Sequence, residues 1–244
     1  MKLLWRAGAV VVLVLAWRAV IAAWAIPQYL VPSPASVAAA AAGHVRVLLA
    51  GAAYTLGSAL LGLGISATFA TALALAFTGN RGLERASLPL VIAFRSAPVT
   101  AIAPLIMLMV GRGIGTSLIV VIIVSFFPLY VNLMRGLAVP DRNAVELMIV
   151  TGATRWQQMR YVRIPYAMPY VFTGLRIAGG SAILGAMLSE WLTGAPGLGM
   201  MILSSGDMRE TELLWAATIV SVLVALCVFW ATSAGERAVL AWRR

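Results

Sequence analysis

Six apolar blocks, each long enough to cross a bilayer as a helix, leave this chain little choice of architecture. They lie at about 7–26, 50–77, 88–110, 114–136, 166–190 and 212–234, against the roughly 20 residues that a hydrocarbon core requires. Only 11% of the residues are charged while 62% are apolar. A soluble domain holds closer to a quarter charged residues, so an all-α polytopic membrane protein is expected. The second block is long enough to begin as a helix outside the bilayer. Residues 1–49 form a first helix with an external segment, and 50–244 form the membrane core.

The basic residues orient this array. Lys2, Arg6, Arg81, Arg85, Arg135, Arg142, Arg155, Arg160, Arg163, Arg237, Arg243 and Arg244 fall on one set of connections and ends. The opposite set holds Arg46, Arg112 and Arg209. Twelve against three places both termini and the connection after the fourth block in the cytoplasm. Lys2, Arg6 and the small residues near Ala23 also fit a cleavable signal peptide, but Arg18 and the length of the run suit a span better. The net charge of +10 is segregated by loop, not gathered on one face, which argues against nucleic acid.

Several chemistries are excluded by inventory. Cys227 and His44 are the only residues of their kinds, so no disulfide, thiolate cluster or multi-histidine metal site can form within the chain. The only lysine is Lys2, and a phosphate-binding P-loop needs one after its glycines. Active transport would therefore draw its energy from another chain or from an ion gradient.

Within the apolar blocks, Ser58, Gly62 and Ser66 recur every four residues, as do Ser181, Gly185 and Ser189. Such rows let helix backbones approach in lipid. Pro89, Pro98, Pro104 and Pro128 predict kinked or interrupted third and fourth spans, tolerable where freed carbonyls face protein or an aqueous path. Arg95, Arg176 and Glu190 are intramembrane ionisable groups and candidates for the translocation path or its gating. The two arginines are equally well explained by snorkelling. Glu190 precedes a glycine-rich loop at 194–199, and its structural alternative is a carboxylate paired to a neighbour.

The longest polar interruption, Pro140–Pro169, carries Glu146, then Gly152, then Ile164-Pro165. Asp141 or Asn143 can cap a helix starting near Ala144, which Gly152 ends; Thr154 can cap a second helix, which Pro165 is expected to stop before the fifth span. Periodicity alone does not separate a docking element from an interfacial segment held by anionic lipid.

The order Glu146, Gly152, Ile164-Pro165 resembles the EAA loop of ATP-binding-cassette importer permeases. The residues 152–157, 164–169 and 173–176, together with Ser189-Glu190-Trp191 and Gly197-Leu198-Gly199, are similar to the nitrate, sulfonate and taurine branch. Tyr54-Thr55-Leu56, the run 98–105 and Val31-Pro32-Ser33-Pro34 fit it as well. The resemblance implies a type I importer permease of a bacterial cytoplasmic membrane. It works as a pair of permease copies with two cytoplasmic ATPase subunits, which hold ATP and Mg, and an external substrate-binding protein. The chain itself would be no enzyme and would bind no cofactor. Glu146, Leu147, Met148, Gly152, Ala153, Thr154, Arg155 and Pro165 would form the coupling loop. Leu147 and Met148 stand where the family has two alanines. The implied cargo is a small polar or anionic solute such as a sulfonate, taurine, nitrate or a pyrimidine-type precursor. Two other readings remain at this stage: an ion-coupled secondary transporter with Glu190 as its intramembrane carboxylate, and a membrane scaffold that uses the loop to bind a partner.

Overall fold

The computed structural model describes residues 2–78, 80–96, 98–138 and 142–241, and all its regular structure is helical. In chain order the helices are α1 (Lys2–Ala23), α2 (Pro34–Gly43), α3 (Val45–Phe77), α4 (Arg81–Ser96), α5 (Val99–Val110) and α6 (Ile114–Ala138). They continue with α7 (Arg142–Val150), α8 (Arg155–Gln158), α9 (Ile164–Thr193), α10 (Leu198–Asp207) and α11 (Thr211–Val239). A π-helical turn, Met159–Arg163, joins α8 to α9.

Four stretches are long and apolar enough to cross a membrane by length and composition: α3, α6, the continuous run Arg155–Thr193, and α11. Shorter apolar stretches are Val11–Ala23, Pro34–Gly43 and Val99–Val110. The third expected span is interrupted, as its prolines imply. α4 ends at Ser96 and α5 begins at Val99, with Pro98 at the N-cap position of α5 in an extended conformation. At 1.5 Å per residue the 12 residues of α5 cover only about 18 Å.

α6 is the central post, held between α3 and α9 by small residues. Ser58 and Ser66 are buried, and a Cβ on Gly62 would stand 2.5 Å from Val121 Cγ1. The Ser66 hydroxyl donates to the Ile122 carbonyl at 3.2 Å. On the α9 side, a Cβ on Gly185 would stand 2.7 Å from Val124 Cγ2. The Ser189 and Ser117 hydroxyls meet at 2.7 Å. Nearer the cytoplasmic ends, a Cβ on Gly136 would fall 2.9 Å from Ala167 Cα. Lipid tails are as apolar as the side chains they would replace, so it is this close fit that holds the helices together. Pro128 lies inside α6 and is buried. The Asn132 amide donates to the Pro128 carbonyl at 2.7 Å.

One expectation from sequence is corrected. Pro165 does not stop the second helix of the cytoplasmic segment before the fifth span. The π turn widens the ladder just ahead of it, with Ile164 N–H bonded to the Met159 carbonyl, five residues back. A proline has no N–H to give and crowds the carbonyl four residues back in an α-helix, and a π turn relieves both faults at once. The helix therefore runs on as a single rod of 39 residues, Arg155–Thr193, about 58 Å long.

Candidate functional site: a cytoplasmic helical turn and its membrane rod

The cytoplasmic turn is assembled from local bonds. α7 ends in a left-handed cap: Gly152 has φ +77°, its N–H bonds to the Ile149 carbonyl at 3.0 Å, and Ala153 N–H bonds to the Met148 carbonyl at 2.8 Å. This pair of bonds satisfies the last carbonyls of the helix and requires the positive φ that glycine accepts. α8 then opens with a reciprocal cap. The Gln157 N–H donates to Thr154 Oγ1 at 3.3 Å, and Thr154 N–H donates to Gln157 Oε1 at 2.7 Å. Both cap assignments made from sequence at Gly152 and Thr154 hold. The proposed start of α7 differs: the helix begins at Arg142, placing Asn143 inside it, and Asp141 lies outside the described residues.

This turn displays apolar side chains to solvent. Leu147 is 65% exposed, Val150 84% and Trp156 70%; Ile149 is also exposed, as is Glu146, while Met148 and Ala153 are half-buried. Arg155 is exposed beside them, and Pro165 sits one π turn further along the rod. The turn is anchored to the body by Arg163, whose Nη1 donates to the Leu137 carbonyl at the end of α6 at 3.1 Å. The loop residues singled out from sequence thus lie on one continuous hairpin of helices, joined without a break to α9.

Of the three intramembrane candidates, Arg176 and Glu190 are not brought together. The side chain of Arg95, in α4, lies outside the described residues. Arg176 forms an ion pair with Glu236 of α11, and its guanidinium carbon lies 5.5 Å from the centroid of the Phe229 ring. Sequence reasoning missed Glu236 as the partner. Its only signal was a carboxylate near the cytoplasmic end of the sixth span, opposite an arginine at similar depth in the fifth. Removing one member strands the other in apolar surroundings, which costs more than removing both. A double-mutant cycle on Arg176→Ala and Glu236→Ala should therefore give a coupling of about 1–3 kcal/mol in detergent unfolding. A coupling of zero would mean the pair does not join α9 to α11.

Glu190 lies 14 residues beyond Arg176, about 21 Å along the rod. It is fully buried, and its Oε2 accepts the Gly199 N–H at 2.8 Å. The neighbouring Leu198 N–H donates to Thr55 Oγ1 of α3 at 2.9 Å. The first two N–H groups of α10, which have no partner inside the helix, are thus taken by side chains of α9 and α3. A negative group at that end is also favoured by the helix dipole. Each glycine of the connecting loop has its own reason. Gly194 caps α9 at φ +74°. A Cβ on Gly197 would collide with the Glu190 carboxylate, and one on Gly199 with the Met187 backbone. The Glu190 Oε1 has no hydrogen-bond partner among the described residues.

Comparison with known proteins agrees with this architecture. The family described as binding-protein-dependent transport system inner membrane component matches residues 65–240. The riboflavin transport system permease protein RibX of Chloroflexus aurantiacus is 31% identical over 231 residues, covering 93% of this chain and 85% of that protein. The formylaminopyrimidine transport permease protein ThiX of Halalkalibacterium halodurans is 33% identical over 190 residues, covering 78% and 76%. A solved methionine ABC transporter, MetNI, in inward-facing form superposes with a TM-score of 0.66 at 19% identity, over 81% of this chain and 98% of that one. That likeness concerns the fold. The family match over residues 65–240 supports an importer permease, and the ion-coupled alternative is not favoured. The chain belongs to the binding-protein-dependent transport system inner membrane component family: it is a multi-pass inner-membrane permease subunit of an ABC importer, a transport subunit and not an enzyme.

Proposed function

We propose that this permease imports a small nitrogen-heterocyclic solute, driven through the α7–α8 turn by partner ATPases. Two such subunits would bind beneath two copies of this chain, with ATP and Mg held on the ATPases and an external binding protein delivering the solute. The observation that carries the coupling role is the continuity of the rod. Leu147, Ile149, Val150 and Trp156 form an exposed apolar crest, and α8 passes through the π turn into α9 without a break. A push on the crest would be transmitted along about 58 Å of helix to Glu190 and the α10 contact at the other end. Such a crest suits docking into a groove of a partner by helix-in-groove contact. Leu147 and Met148 in place of alanines would shape that fit and the choice of ATPase. The heterocyclic cargo is supported by two relatives over 30% identical across more than three-quarters of this chain, named for riboflavin and formylaminopyrimidine transport; an osmoprotectant permease is 31% identical over half of the chain, and sulfonate and taurine permeases are matched at lower identity.

The coupling role is tested by co-purification with the cognate ATPase and by binding-protein-stimulated ATP hydrolysis in liposomes. Val150→Asp combined with Trp156→Asp should abolish co-purification, since buried interface anchors carry most of the affinity. Glu146→Ala should reduce stimulated hydrolysis about tenfold or more, a loss of roughly 1.4 kcal/mol of coupling. If assembly and stimulated hydrolysis survive both changes, the coupling role belongs elsewhere.

A further inference from the structure

A half-open cavity of about 690 Å³ lies in the cytoplasmic half of the helical body, where α3, α6 and α9 meet the broken third span at Val91 and Val99, with Phe69 and Ile177 more than half exposed at its mouth. Phe69, Phe126 and Phe127 supply rings to its wall, with Phe69 and Phe126 centroids 5.5 Å apart. Three polar side chains reach it, Asn132, Arg135 and Ser181. Asn132 spends one amide proton on the Pro128 carbonyl, leaving the other proton and its oxygen. Ser181 donates to the Ile177 carbonyl at 3.3 Å, leaving its oxygen as an acceptor. Arg135 is exposed and has no carboxylate partner among the described residues.

We propose that this cavity is the solute's station within the membrane and that it selects a flat heteroaromatic ring with an anionic or hydrogen-accepting edge. The phenylalanines take the ring faces, and Arg135 and Asn132 take the edge. The volume is that of a site for a drug-sized ligand, whose surface is mostly buried against apolar walls with a few placed polar groups. A nitrate or a taurine would leave most of it empty and would gain nothing from the rings. A fused or substituted ring fills it and stacks on them. The guanidinium fork matches a planar carboxylate, phosphate or carbonyl edge. This inference rests on the importer reading above and adds the residues that choose the cargo.

The test uses the full-length chain in lipid nanodiscs with riboflavin as the probe, read by quenching of its fluorescence, and taurine as the competitor. Saturable riboflavin binding is expected, with taurine failing to displace it at equal concentration. Arg135→Gln should weaken binding about tenfold or more, the scale of one hydrogen bond to a charged group. Ile177→Trp, which fills the cavity from a half-exposed wall, should abolish binding, while Ile177→Ala should retain it. Thermal unfolding in the same discs confirms that each variant is folded. Absence of saturable binding, displacement by taurine, or full binding in Ile177→Trp would overturn the proposal. None of these outcomes touches co-purification with the ATPase, so the cavity assignment and the coupling role fail separately.

Discussion

Gly152→Val should abolish binding-protein-stimulated ATP hydrolysis while leaving the membrane core folded. The residue holds φ at +77°, where an L side chain pays about 1–2 kcal/mol and a β-branched one is a steric outlier. A Cβ there would meet nothing within 4 Å, so the cost is one of backbone conformation alone. The chain relieves it by leaving the left-handed region, which breaks the Gly152 and Ala153 bonds to α7. The angle between α7 and α8 is then lost, and with it the shape that the crest presents. Gly152→Asn should keep a large part of the activity, because asparagine visits the left-handed region more readily. ATPase assays in proteoliposomes and thermal unfolding of the isolated permease check both halves. Wild-type hydrolysis in Gly152→Val would show that the turn transmits nothing.

Gly199→Ala should be the most destabilising single-methyl change in the external cap. The added Cβ would strike the Met187 carbonyl and approach Met187 Cα to 2.8 Å. Both belong to the backbone of α9, which cannot turn aside as a flexible side chain would. Overpacking of this kind costs about 1–3 kcal/mol, and here the Glu190–Gly199 bond and the Leu198–Thr55 bond would be disturbed with it. Gly57→Ala is the control, since a Cβ at that glycine of α3 meets nothing within 4 Å and φ is ordinary. Detergent or thermal unfolding should lower the midpoint for Gly199→Ala and leave Gly57→Ala at or above wild type, alanine being the better helix former. Equal midpoints would mean that α10 is not seated against α9 as described.

Legibility differed from element to element for physical reasons. The turn at Gly152 and the cap at Thr154 could be read because each depends on residues within a few positions of itself. The break in the third span could be read from Pro98 for the same cause. The π turn could not: Pro165 announces a fault in an α ladder, but whether the chain stops or widens the ladder depends on what the emerging helix packs against. Arg163 bonded to Leu137, and Ala167 pressed against Gly136, hold that direction. The role of Glu190 was half legible. Its position beside a glycine-rich loop pointed to a special contact, while its actual partners, Gly199 and the neighbouring Leu198–Thr55 bond, lie on α10 and α3.

By itself the sequence determined the class, the orientation and the local caps of this permease, because hydrophobic length, loop charge and capping act over short range. Its resemblance to importer permeases agrees with the family match over residues 65–240. Only the tertiary structure decided that the cytoplasmic turn and the Glu190 end are one rod, that Arg176 is engaged by Glu236, and that Phe69, Asn132 and Ser181 face one cavity. Those are contacts between residues far apart in sequence, set by how close glycines let helices approach, and no local pattern encodes them.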